Sequence, residues 1–200
     1  MWLRDSVSWE HSVSVGGSEA RPRLRAALLD ALADSNGQAL SERDVAIHAG
    51  LSPSRFGECY RDLDECMLDA YDALADDVYD TFAHAFDGPG DWHARFATAI
   101  DVTLARLLSI PGAMSLWFLE ARRTADHELQ SHSTAARDRL VGVLTQPGGS
   151  CTLDVPDLHV EFLFGALAHA AHDELAAGGD GESAGQRIRE LLVLLEPVSV

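Results

Sequence analysis

From residue 23 onward, apolar residues recur at three- and four-residue intervals, a spacing that lines them along one face of successive α-helices. The pattern predicts helices over 23–34, two short helices joined by a tight turn within 39–67, and a long helix over 64–86. The sequence Asp-Gly-Pro-Gly at 87–90 ends that helix. Asp91 caps the next, whose stripe is Trp92, Phe96, Ile100, Val102, Leu104, Leu107 and Leu108, closed by Pro111 and Gly112. Further helices are expected over 113–124, about 126–144, 157–177 and 182–195, with a loop at 145–156 and a glycine-rich linker at 178–181. The first twenty residues, with isolated Trp2 and Trp9, lack this periodicity and are expected to form a flexible arm. The expected fold class is all-α.

The segment 39–67 carries the sharpest signal. Val45, Ala46, Ala49, Leu51 and Phe56 fall on inward-facing helical positions, and Gly50 stands where the chain must turn between two steeply packed helices. Ser52 is placed to cap the second helix, with Pro53 at its first position. That is the grammar of a helix-turn-helix, whose second helix normally enters the DNA major groove. The string Ala-Leu-Ser-Glu-Arg-Asp-Val-Ala-Ile-His-Ala-Gly-Leu-Ser-Pro-Ser-Arg-Phe (39–56), followed by Tyr60, Asp64 and the helix 68–86, resembles the amino-terminal domain of TetR-family transcriptional regulators. The resemblance is specific over about 22–75 and architectural beyond.

It implies an arm (1–20), an N-terminal three-helix helix-turn-helix domain that binds DNA (21–66), and a C-terminal helical ligand-binding and dimerisation domain (67–200). The implied activity is that of a repressor, released from double-stranded DNA by a small, largely apolar effector. Carried over residue by residue, Ser54 and Arg55 touch bases, while Ser41, Arg43 and Tyr60 touch phosphates. Arg55 is the long cationic side chain of the recognition helix and so suits a guanine edge.

Three positions depart from the family. Gly57 replaces a common aromatic residue, Leu63 replaces a lysine, and Glu58 puts a carboxylate on the recognition helix, where phosphates repel it unless it accepts from a cytosine amine. Cys59 and Cys66 also replace more usual residues. These features support an alternative, a family member that no longer reads DNA and acts through ligand or protein.

Charge bears on the same choice. The net charge is −17, and all 15 basic residues are Arg. An acidic chain binds DNA only where positive charge is focused. Arg21, Arg23, Arg25, Arg43, Arg55 and Arg61 supply some focus, but Asp30, Asp34, Glu42, Asp44, Glu58, Asp62, Asp64 and Glu65 bring the segment close to neutral. A weak, salt-sensitive affinity is expected. Asp69, Asp72, Asp76, Asp77 and Asp80 on the next helix have no basic neighbours in sequence.

Two hundred residues that are 46% apolar suffice for a large core. No apolar run approaches the ~18 residues that span a bilayer, and no leader pattern opens the chain, so no membrane partner and a cytoplasmic location are expected. Cys59, Cys66 and Cys151 form no zinc or C-x-x-C spacing and read as small buried residues.

The last two helices, with small residues at Gly165, Ala166, Ala168, Ala170 and Ala171, suit a four-helix homodimer interface, as in TetR-like proteins. A two-fold dimer predicts a near-palindromic operator with half-sites about 34–36 Å apart. For the effector, the aromatic candidates are Trp92, Phe96, Trp117, Phe118 and Phe162, with Phe164 beside them; the polar ones are Glu120, Arg123, His127, His169 and His172. His169 and His172 share a helical face next to Asp173, and with Glu120 or His127 they compose a conceivable metal set. The paired Glu-x-x-His pattern of di-iron bundles is absent, so a pH-sensitive or hydrogen-bonding role in the pocket ranks above a metal site, satisfied histidines at the dimer interface rank above both, and no metal or cofactor is expected. No nucleophile elbow, phosphate loop or H-E-x-x-H motif is present, and the chain is not expected to be an enzyme. An all-α metal-dependent hydrolase or isomerase using these histidines is the alternative from another class.

Overall fold

The first helix, α1 (Gly17–Asp34), buries Ala20, Leu24, Ala27, Leu28, Ala31 and Leu32 along one stripe. The computed structural model describes residues 17–35, 39–120, 127–145 and 157–193, so most of the expected arm, the loop 146–156 and residues 194–200 lie outside the described residues. The helix begins six residues before the expected start and contains Pro22. Proline removes one intrahelical hydrogen bond near the helix start, but a fully buried Ala20 extends the apolar stripe past it.

Two short helices follow, α2 (Glu42–His48) and α3 (Pro53–Cys59). Ser41 and Asp44 form a capping box at α2, where Ser41 donates to the Asp44 carboxylate and holds that carboxyl below its usual range. Gly50 adopts φ +64°, the left-handed turn that glycine makes without strain. Ser52 accepts the Arg55 N–H at 3.3 Å to start α3, and Phe56 seals the head at 5.7 Å from the Tyr60 ring.

Helix α4 (Leu63–Phe86) is the axis of the molecule. Asp62 caps it, and Cys66, Met67, Ala70, Tyr71, Leu74, Ala75, Val78, Phe82 and Phe86 are buried along it. The expected domain border at 66/67 therefore falls in the first turns of an unbroken helix. Helix α5 (Trp92–Leu108) starts at Asp91 and returns along α4. Arg95 is buried between them; its Nε donates to the Phe86 carbonyl at 2.5 Å, and the guanidinium sits 4.6 Å from the Phe86 ring. It thereby satisfies a carbonyl at the end of α4 that lacks an intrahelical donor.

The expected helical segment 113–124 is helical over its described residues, 113–120, but of a different type: after the turn at 111–112 and a helical start at 113–114 the chain forms a π-helical segment, α6 (Ser115–Glu120). Ala113, Met114, Leu116 and Phe118 are all buried and Trp117 is half-buried, so the segment presents apolar groups nearly all round, and the wider turn spreads them among several neighbours. Helices α7 (His127–Thr145), α8 (Asp157–Ala176) and α9 (Gly181–Val193) complete the described residues, in which every helix or strand element is helical. Helix α4 packs on α1, α5 and α7; α8 packs on α6, α7 and α9, and α9 also meets α5.

Two details join the head to the rest. Gly112, at φ +67°, lies so close to α1 that a Cβ there would sit 2.1 Å from the Leu29 carbonyl oxygen. The acidic face of α4, isolated in sequence, finds basic partners in space. Asp69 meets Arg25 of α1 at 3.4 Å, Asp72 meets His132 of α7 at 2.6 Å, Asp76 meets Arg139 of α7 at 2.7 Å, and Asp77 meets Arg106 of α5 at 2.7 Å. These pairs are exposed or half-exposed, so each adds only about 0–1 kcal/mol and serves mainly to align the helices.

Candidate functional site

The α2–α3 face is the first candidate site. Ser41, Arg43 and Ser54 are exposed on it. The Ser41 hydroxyl is 2.6 Å from Asp44 Oδ2, and the Ser54 hydroxyl is 2.8 Å from that of Ser52. Arg43 forms no ion pair with a described residue. Arg55 is half-exposed, and its guanidinium is hydrogen-bonded to Glu58 one turn along the same helix. Tyr60 is different, being only 1% exposed. Its hydroxyl donates to Asp69 Oδ2 at 2.5 Å, and burial and that bond push the phenol well above its ordinary value. A buried phenol held by a carboxylate cannot reach a phosphate, so Tyr60 is corrected from a DNA contact to a core residue.

The arginines before α2 also have structural roles that sequence reading missed. Arg21 donates to the Cys59 carbonyl at 2.8 Å, and Arg23 donates to the Ala49 carbonyl at 2.7 Å, so the two side chains cap the carboxyl ends of α3 and α2. Arg61 pairs with Asp62 at 2.8 Å. Arg21 and Arg23 keep their charge while they cap and are themselves exposed, so the positive charge of the head comes from them and Arg43, with Arg55 paired to Glu58.

The second candidate site is a cavity of about 410 Å³ bounded by α4 to α9. Tyr71, Val78 and Phe82 of α4 form one wall, with Ile100, Thr103, Leu104 and Leu107 of α5 beside them. Trp117 and Phe118 come from α6, and Trp117 stacks on Tyr71 at 5.3 Å. From α7 come Gln130, Ser133, Thr134, Arg137 and Leu140, and from α8 and α9 come Phe164, Leu167 and Ile188. Burial pushes the Tyr71 phenol up to about 12, so the wall stays uncharged at neutral pH.

Of the expected effector residues, Trp117 and Phe118 line this cavity. Trp92 and Phe96 do not; they stack on each other at 5.1 Å within an aromatic cluster with Phe82, Phe86 and Phe164. Phe162 is 77% exposed on the outside of α8, and His127 and His169 are exposed. Glu120 ends α6 away from the lining, and Arg123 lies outside the described residues. His172 faces a separate open hollow between α1, the α5–α6 turn and the α8–α9 loop. His169 and His172 each approach Asp173, at 3.3 and 3.4 Å, but among the described residues no three His, Cys, Asp or Glu side chains converge as a metal set.

Comparison with solved structures is informative. A TetR family transcription regulator from Marinobacter aquaeolei VT8 superposes with a TM-score of 0.59 at 19% identity, over 88% of this chain and 95% of that one. A protein from Pseudomonas aeruginosa PAO1, assigned as a transcriptional regulator, gives 0.59 at 24% identity, over 90% of this chain and 91% of that one. The chain has the TetR-regulator fold. No family model and no curated protein matches the sequence. On the TetR fold, the two candidate sites occupy the two ends of α4, which packs against α1 at the head and walls the cavity further along.

The polar lining of the cavity had a sequence signal that composition hid. Gln130, Ser133, Thr134 and Arg137 recur at three- and four-residue spacing on α7, a polar stripe where a buried helix face would be apolar. Cys66 is fully buried, and burial pushes its thiol up to about 12, which leaves it protonated and inert. No helix among the described residues is long and apolar enough to cross a membrane.

Proposed function

We propose that this chain is a DNA-binding transcriptional regulator of the TetR type, acting as a cytoplasmic homodimeric repressor that a small-molecule effector releases from a near-palindromic operator. The observation that carries the reading is that one helix serves both sites. Cys66 and Met67 of α4 are buried in the core that supports the reading head, and Tyr71, Val78 and Phe82 of the same helix line the cavity. A ligand that favours one tilt of α4 changes the separation of two heads in a dimer, and a mismatch with the half-sites weakens binding. Ser54 and Arg55 are assigned to base edges, and Ser41 and Arg43 to phosphates. The last two helices, α8 and α9, are assigned to the dimer, with the exposed Phe162 on the outer face of α8.

The test is titration of the full chain against duplexes from its own promoter region at two salt concentrations, with Arg55→Ala as control. Saturable, salt-dependent binding that the substitution abolishes supports the reading. The Arg55–Glu58 bond favours a second reading, in which the head no longer reads DNA and the cavity is the whole function; absence of binding at low salt would select it.

A further inference from the structure

Resting on the effector reading above, the cavity also discloses what kind of molecule it takes. Thr103 is 8% exposed and lines the cavity, and its hydroxyl oxygen is buried without a hydrogen-bond partner. A helical threonine commonly returns its hydroxyl to the carbonyl four residues back. Thr98 does so to Ala94 at 2.8 Å and Thr134 to Gln130 at 3.0 Å, whereas Thr103 does not. A buried hydroxyl kept out of its ordinary bond points to a polar atom supplied from inside the cavity.

Charge gives the second constraint. Among the described residues that line this cavity there is no Asp or Glu, and the charged side chain there is Arg137. Arg137 is half-exposed and lies 3.2 Å from its chain neighbour Asp138, a contact at the mouth that leaves much of the guanidinium's fork open to a second acceptor. Beside these two points the described lining carries the polar side chains of Gln130, Ser133 and Thr134 on α7, and most of the remainder is aliphatic and aromatic.

We propose that the effector is an amphipathic carboxylic acid with a second oxygen function. Its carboxylate pairs with Arg137, its apolar body fills the space beside Trp117 and Phe82, and its hydroxyl or carbonyl oxygen bonds to Thr103 Oγ1. The acid group provides selection against the more abundant neutral apolar compounds, and the inner oxygen provides selection among acids.

The experiment is calorimetric titration of the DNA-free full chain with three probes below their aggregation limits: 12-hydroxydodecanoic acid, dodecanoic acid and 1,12-dodecanediol. The expected order of affinity is hydroxy acid, plain acid, diol. Arg137→Gln should weaken both acids at least tenfold and leave the diol unchanged. Thr103→Val should bring the hydroxy acid down to the plain acid and raise the melting temperature of the unliganded protein, because it removes an unsatisfied buried hydroxyl while keeping the shape. Equal binding of acids and diol, insensitivity of the acids to Arg137→Gln, or no binding by either acid would overturn the proposal. Because DNA is absent, acid binding with these variant effects supports the ligand class even in a preparation that fails to bind operator.

Discussion

Substituting Gly112 by alanine tests how rigidly the helix-turn-helix head is joined to the cavity-bearing end. The position has φ +67°, where a non-glycine residue costs about 1–2 kcal/mol. A Cβ there would also sit 2.1 Å from the Leu29 oxygen, 3.0 Å from the Leu29 carbonyl carbon and 3.1 Å from the Ala33 nitrogen. All three atoms are α1 backbone and cannot rotate away, so α1 must lift from the α5–α6 turn. Forcing a packed contact apart in this way costs about 1–3 kcal/mol more. Gly178 provides the control: its φ is +92°, and nothing lies within 4 Å of a Cβ placed there, so Gly178→Ala meets the backbone cost alone. Loss of unfolded-state freedom on replacing glycine acts on both variants and cancels in the difference. Urea unfolding followed by far-ultraviolet circular dichroism should therefore show Gly112→Ala less stable than Gly178→Ala by about 2 kcal/mol. Equal losses in the two variants would mean that the turn does not bear on α1, and the reasoning would fail.

Other outcomes follow from the same geometry. Glu58→Gln releases Arg55 and removes a carboxylate from α3, so DNA affinity by fluorescence anisotropy should rise and the salt slope should steepen by about one ion; weaker binding would show instead that Glu58 accepts a hydrogen bond from a base. Tyr60→Phe removes the bond to Asp69 and should cost about 1–2 kcal/mol in chemical unfolding while leaving the salt slope of DNA binding unchanged. A changed slope would return Tyr60 to the DNA face. His48 has its pKa raised, first by the Asp44 carbonyl and then by Asp34. Its contribution to stability is therefore complete below the unfolded value of about 6.5 and is lost as pH rises through the higher folded value. Proton NMR titration should place His48 above that reference, and Asp34→Asn should lower it; a value at or below the reference would contradict the assignment.

Signals contained within a few residues were legible in the sequence. Gly50, the Ser52–Pro53 start of α3 and the Asp91 cap of α5 all stand where the local chemistry put them. Elements decided by distant partners were not. The start of α1 rests on the burial of Ala20, which no local rule extends past Pro22. The wide turn of α6 answers neighbours on several sides and has no residue signature. At the candidate sites, Trp117 and Phe118 were readable as cavity residues, but equally aromatic Trp92 and Phe96 pack into a cluster instead. Arg21 and Arg23 read as DNA cations from their position, whereas their partners are carbonyls 38 and 26 residues away. Thr103 and Arg137 were silent because a single hydroxyl or guanidinium in a helical pattern reads as surface until the facing helices are known.

The two arginine caps bear on how such a head responds to its solution. A guanidinium keeps its proton at any pH at which the chain stays folded, and a backbone carbonyl has no proton to gain in that range. The bonds from Arg21 to Cys59 and from Arg23 to Ala49 therefore do not titrate, and the bound carbonyl is a dipole that added salt screens less than it screens a pair of full charges. The hydrogen bonds at the carboxyl ends of α2 and α3 are thus indifferent to acidity, whereas the pair that the same Arg21 makes with Glu65 at 3.3 Å loosens as salt is added, so one side chain carries a constant contact and a variable one.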